Sequence, residues 1–166
     1  MIMILKKKDI LKVDDFNFKC CIGKLGLTNK KIEGDKKTPI GVFKIGSVYY
    51  RQDRIKKPLT SLKCNKIKKN MKWCNDISAP ERYNRLFKTN DNFRHEKLMR
   101  RDNKYDLLIP IKYNFDKPVV GKGSCIFIHL TKNYRPTAGC IALKKKDFLI
   151  MLKIIKKKTK IIIKNN

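Results

Sequence analysis

Apolar side chains along most of this chain come in short runs rich in β-branched and aromatic residues, closed off by glycine, proline and asparagine. Ile2 to Leu5 and Phe16 to Ile22 are such runs, and Gly23, Gly26 and Gly34-Asp35 mark turns behind them. Thr38-Pro39-Ile40-Gly41 is a further turn, leading into a β-rich run from Val42 to Tyr50. The same texture returns late in the chain. Tyr105 to Tyr113 reads as a strand that Pro110 assigns to a sheet edge or a bulge. Ser124 to Leu130 is a strong strand, Cys140 to Leu143 a short one, and Thr159 to Lys164 a closing one. A single segment has a helical period: from Lys145 to Lys157, Phe148, Leu149, Leu152 and Ile155 recur on one face. Asp147 in its first turn suits the helix dipole.

Residues 51–104 break this pattern. They are polar, rich in lysine, arginine and asparagine, with few periodic apolar positions. One short helix is predicted there, near Arg94 to Arg100. An excursion of this length either walls a site or hangs on the surface. No internal repeat and no second domain are visible, so residues 1–166 read as one mainly β domain with a short C-terminal helix and a long polar insertion.

Charge adds a question. The 166 residues carry 42 lysines and arginines against 14 acids, a formal net charge of +28. A polyanion partner would account for this. So would compositional drift, since Lys, Ile and Asn abound together and the lysines are spread along the chain. The even spread favours drift, because nucleic-acid binders cluster their cations on one face. No apolar stretch is long enough to span a membrane. The start of the chain lacks the order of charges, apolar run and small residues that marks a signal peptide. Six cysteines are present without a C-x-x-C pair or zinc-finger spacing. No metal or cofactor is expected, and most of these thiols read as small buried hydrophobes.

Chemistry enters at the strand Ile126-Phe127-Ile128-His129-Leu130. Alternation puts Cys125, Phe127 and His129 on one face and Ile126, Ile128 and Leu130 on the other. The second set is a core stripe; His129 ends the strand, where a polar group can meet a cleft. Thr137-Ala138-Gly139-Cys140 is a run of small residues ending in a thiol ten residues beyond Leu130. Glycine there permits a tight turn, and successive amides in such a turn can converge on an oxyanion. A histidine in reach can hold the thiol as thiolate and return its proton to a leaving amine. Taken alone, a Cys–His pair at loop spacing equally describes a core cysteine and a half-exposed histidine. The second histidine, His95, lies in the polar excursion without strand framing.

Ile128-His129, a loop, and Thr137-Ala138-Gly139-Cys140-Ile141 resemble the signature of the L,D-transpeptidase (YkuD-type) catalytic domain. Glu33-Gly34-Asp35-Lys36-Lys37-Thr38-Pro39-Ile40-Gly41-Val42-Phe43 looks like that family's turn-and-strand, and Trp73-Cys74-Asn75-Asp76, Tyr83-Asn84 and Tyr105-Asp106-Leu107 look like features of one subgroup. The resemblance covers roughly residues 20–164 and implies a curved mixed β-sheet sandwich. It implies Cys140 as nucleophile on peptidoglycan tetrapeptide stems, His129 as base, Thr137 shaping the site, and the amides of Gly139 and Cys140, with Ala138, as oxyanion donors. It also implies a cell-envelope location, although no export signal is visible. Arg135, Trp73, Asp76, Tyr83, Asn84 and Tyr113 are expected at the cleft as substrate-binding residues. Arg135 suits a carboxylate, and Trp73 suits a core anchor equally well.

Three departures from the family pattern stand out. Ala138 replaces the usual second histidine, the loop from His129 to Cys140 is short, and Ala142 stands where many members are polar. The expected activity is L,D-transpeptidation by a monomer. The alternatives are a carboxypeptidase or amidase that uses water as acceptor, and a basic nucleic-acid-binding module with an inert cysteine.

Overall fold

A computed structural model describes residues 1–88 and 92–165. The elements in chain order are β1 (Ile2–Lys6), β2 (Ile10–Val13), β3 (Phe16–Cys21), β4 (Leu27–Thr28), β5 (Thr38–Pro39), β6 (Gly41–Lys44), β7 (Val48–Tyr50) and β8 (Cys64–Lys66). They continue with β9 (Lys72–Cys74), β10 (Leu86–Phe87), β11 (His95–Lys97), β12 (Leu107–Pro110), β13 (Phe127–Leu130), β14 (Ile141–Leu143), α1 (Lys145–Ile154) and β15 (Lys160–Ile163). Ten strands form one mixed sheet in the order β6-β15-β1-β2-β3-β14-β13-β12-β7-β8. The fold is mainly β, as the sequence pattern predicts.

The sheet's centre explains the site. Strand β13 lies between β14, which is parallel to it, and β12, which is antiparallel. Its two faces enter two separate apolar clusters. Ile126, Ile128 and Leu130 join the larger one, with Phe148, Met151 and Leu152 of α1, Met3 and Leu5 of β1, and Ile161 of β15. Phe127 joins the smaller one, with Trp73, Leu98, Tyr105, Leu108 and Cys140. The predicted alternation thus holds from Phe127 onward, both faces being buried.

Several local expectations are corrected. Among the described residues, 51–88 and 92–104 do not hang loose, and no helix lies near Arg94–Arg100. Strands β9, β10 and β11 form a small antiparallel sheet there, with Glu96 opposite Trp73. Trp73 of β9 and Leu98, just after β11, join the smaller cluster. Strands of two or three residues are too short for a period to show in the sequence. Pro110 is not at an edge: β12 is central, and Pro110 ends it, its carbonyl accepting the Gly46 amide at 2.8 Å. Helix α1 stops at Ile154 because Ile155 turns extended, three residues before the predicted end. The strand predicted from Ser124 begins only at Phe127, since Cys125 has φ +54°.

Candidate active site

His129 is placed by β13 and Cys140 by the turn before β14. His129 is in register with Ala142, and Ile128 with Ile141, which sets Cys140 beside Phe127 on the same face. The Phe127 amide indeed points at the Cys140 sulfur, at 3.4 Å. From Phe127 to His129 is two residues of strand, about 6.6 Å along the chain. The thiol itself donates to the Cys125 carbonyl at 3.2 Å. No hydrogen bond joins the Cys140 and His129 side chains among the described residues.

The imidazole has its own fixed partner. Its Nδ1 lies 2.9 Å from the Leu130 carbonyl oxygen. A carbonyl only accepts, so Nδ1 carries the proton and Nε2 keeps its lone pair. Tyr105 packs edge-on against the ring, centroids 5.4 Å apart. Burial, reinforced by the positive charges of Lys104 and Arg100, lowers the His129 pKa to about 4, against the opposing pull of the Leu130 carbonyl. Burial also raises the Cys140 thiol to about 12, only partly offset by the Phe127 amide. At neutral pH the resting pair is therefore a neutral imidazole with a free base nitrogen and a neutral thiol.

Both side chains open onto one cavity of about 470 Å³. Thr137, Ala138 and Ala142 line it from the β14 side, and Thr131, Lys132 and Arg135 from the connecting loop. The end of the excursion closes it with Glu96, Arg100, Lys104 and Tyr105. Arg100 is engaged by Asp102 at 2.8 Å and by Glu96 at 3.6 Å, and lies over the Tyr105 ring. Among the described residues, no carboxylate lies within ion-pair reach of Lys104, Lys132 or Arg135. The cavity therefore presents excess positive charge beside the thiol.

The turn before Cys140 is over-determined. Gly139 has φ +139°, and a side chain there would stand 2.8 Å from the Lys37 carbonyl oxygen. Thr137 Oγ1 accepts the Gly139 amide at 3.1 Å and donates to the Cys140 carbonyl at 2.6 Å. Thr38, fully buried, donates its hydroxyl to the Gly139 carbonyl and accepts the Gly23 amide. Asp35 braces the approach to Thr38 by accepting the Ile32 and Lys37 amides and the Lys31 ammonium.

The remaining expected cleft residues stand elsewhere. Trp73, Tyr83 and Asn84 are buried and do not line the cavity. Trp73 packs against Phe127 and donates its indole N–H to Asn84. Tyr83 donates to Glu33 and accepts the Gly123 amide. Asp76 is a turn residue, holding Ser78 and the Arg94 amide. Tyr113 donates to the Lys122 carbonyl and packs on Phe43. Protein partners engage each of these side chains in this structure. His95, the other histidine, lies in β11 against Phe87, away from the cavity. Sequence reasoning did not single out Thr38, Tyr105 or Cys125 for the site. All three lie inside stretches with a visible pattern, but their contacts cross the fold.

Residues 4–163 match the YkuD family, the L,D-transpeptidase catalytic domain. The chain belongs to this family. Its fold is similar to that of the helical cell shape determining protein Pgp2 from Campylobacter jejuni, with TM-score 0.55 and 20% sequence identity, over 99% of this chain and 47% of that one. It is also similar to Bd1075 of Bdellovibrio bacteriovorus, with TM-score 0.50 and 17% identity, over 98% of this chain and 47% of that one. The chain thus spans about half the length of these YkuD-fold structures. No curated protein sequence matches it.

Proposed function

We propose that this L,D-transpeptidase-family chain is a cysteine acyltransferase on peptidoglycan stem peptides, with Cys140 as nucleophile and His129 as base. The observation that carries the reading is the shared cavity. A thiol beside a glycine turn and a histidine with a free Nε2 open onto the same 470 Å³ space. Lys104, Lys132 and Arg135, without a carboxylate partner among the described residues, suit a donor peptide that ends in a carboxylate.

In this scheme the thiol swings from the Cys125 carbonyl toward His129, and Nε2 takes its proton. The sulfur attacks the carbonyl carbon of the bond before the terminal D-Ala. The oxygen becomes an anion, facing the amides of Ala138 and Cys140; the Gly139 amide is already donated to Thr137. The C–N bond breaks, the imidazolium returns its proton to the leaving amine, and an acyl thioester remains on Cys140. An acceptor amine then gives its proton to His129, forms the new amide and releases the thiol. Ala138 supplies a backbone N–H here, a role its missing imidazole does not touch.

Incubation with a carbapenem, followed by intact-protein mass spectrometry, tests the reading. One adduct on Cys140, absent in Cys140→Ala, is expected; an unmodified mass would sink it. Product analysis with and without an acceptor peptide then separates transfer to an amine from hydrolysis.

A further inference from the structure

The groups that hold the Cys140 sulfur at rest come from outside the cavity. Asn84 sits at the start of that chain of contacts. It is 4% exposed and has φ +55°, a left-handed conformation that asparagine tolerates better than most residues. Its Oδ1 accepts the Trp73 indole N–H at 3.0 Å and the Cys125 amide at 3.1 Å. Its Nδ2 donates to the Tyr113 and Asn114 carbonyls, at 3.1 and 2.6 Å. Both amide hydrogens and both lone pairs are thereby satisfied. Next to it, Tyr83 OH accepts the Gly123 amide at 3.1 Å, and Ser124 Oγ donates to Glu33 at 2.6 Å. Residues 123, 124 and 125 are thus gripped at three successive positions.

The grip has a chemical consequence. Cys125 is held at φ +54°, and in that conformation its carbonyl meets the Cys140 thiol. With the Phe127 amide on the other side, the sulfur has one acceptor and one donor, a satisfied resting position. A carbonyl that accepts S–H favours the neutral thiol over the thiolate. We infer that Asn84 is a positioning residue for the nucleophile: through the Cys125 peptide it parks the Cys140 thiol away from His129, in a protonated resting site that the thiol leaves to react. The inference rests on Cys140 as the nucleophile, but its test needs no substrate. The ionisable groups near the sulfur are Tyr105, Cys125, Cys21, Glu96, Lys31 and His129. Asn84 hydrogen-bonds none of their side chains, so its influence travels through the Cys125 backbone.

The experiment is the pH dependence of Cys140 alkylation by iodoacetamide, followed at the Cys140 peptide by mass spectrometry. Asn84→Gly keeps the left-handed backbone and deletes the grip. It is expected to move the reactivity midpoint down by at least one pH unit and to speed labelling at pH 8 at least tenfold. Cys125→Gly, which loosens the same peptide, should move the profile in the same direction. Trp73→Phe removes one bond to Asn84 but not the Asn84–Cys125 bond; it should lower the melting temperature and leave the profile in place. A folded Asn84→Gly with the wild-type profile, or an equal shift in Trp73→Phe, overturns the inference. Should neither glycine variant fold, hydrogen exchange of the wild-type Cys125 amide decides: slow exchange is expected, and rapid exchange overturns it. A chain that ignores carbapenem yet shows the shift would sink acyl transfer and keep the positioning role; the reverse pattern would do the opposite.

Discussion

Thr38 and Gly139 are 101 residues apart in sequence and joined by one hydrogen bond, from Thr38 Oγ1 to the Gly139 carbonyl, at 2.8 Å. The bond ties the Thr-Pro turn to the residue before the nucleophile. Thr38→Val keeps the shape and deletes the hydroxyl, leaving the Gly139 carbonyl and the Gly23 amide unpaired. A loss of about 1–3 kcal/mol is expected, read from denaturant unfolding. Acylation of Cys140 should slow as well, and a fully stable variant would contradict the bracing role.

Gly139→Ala should be more damaging. The new methyl would face the Lys37 oxygen at 2.8 Å, a backbone atom that cannot swing aside, and φ is +139°. The turn must move and take the Cys140 amide with it. Carbapenem labelling is expected to fall by at least tenfold in a chain whose circular dichroism still reports the sheet.

Acid pH offers a test of the buried imidazole. The unfolded chain binds a proton at His129 as pH falls through its ordinary 6.5, whereas the folded chain stays neutral down to about 4. Stability attached to this group is therefore present above 6.5 and lost across the window from 6.5 to 4. At 1.36 kcal/mol per pH unit this amounts to about 3 kcal/mol at most. Urea midpoints measured from pH 7.5 to 4 should fall more steeply for the wild type than for His129→Gln. Equal slopes would mean that the ring is not held neutral.

Arg135 lines the cavity without a carboxylate partner among the described residues. Arg135→Ala should raise the KM of a donor with a free carboxylate about threefold to tenfold, roughly 0.7–1.4 kcal/mol, and leave kcat nearly unchanged. A donor amidated at that carboxylate should not feel the substitution. Steady-state kinetics on the two donors checks both expectations.

The legible parts of the site were those that local rules control. The apolar run around Ile128 had to be a strand, and alternation alone put His129 on the face opposite the core stripe. Gly139 before Cys140 signalled a turn whose geometry glycine permits. The strands of the excursion were invisible, since two or three residues are too few to show a period. The resting direction of the thiol was equally hidden. It depends on a left-handed Cys125, which nothing in the neighbouring sequence demands. Asn84 and Tyr83, some forty residues earlier, impose it through backbone bonds. The same bonds hold these two buried side chains outside the lining of the cavity.

Strand β15 lies between β1 and β6, both from the first 44 residues. Until residues 160–163 have left the ribosome, those two strands face an empty slot, and the apolar edges of Met3, Leu5 and Phe43 lack their neighbour. The sheet is thus zipped shut by the last strand of this domain to be translated. Folding of this unit must largely follow synthesis of that strand, and until then a strongly cationic nascent segment keeps apolar sheet edges uncovered.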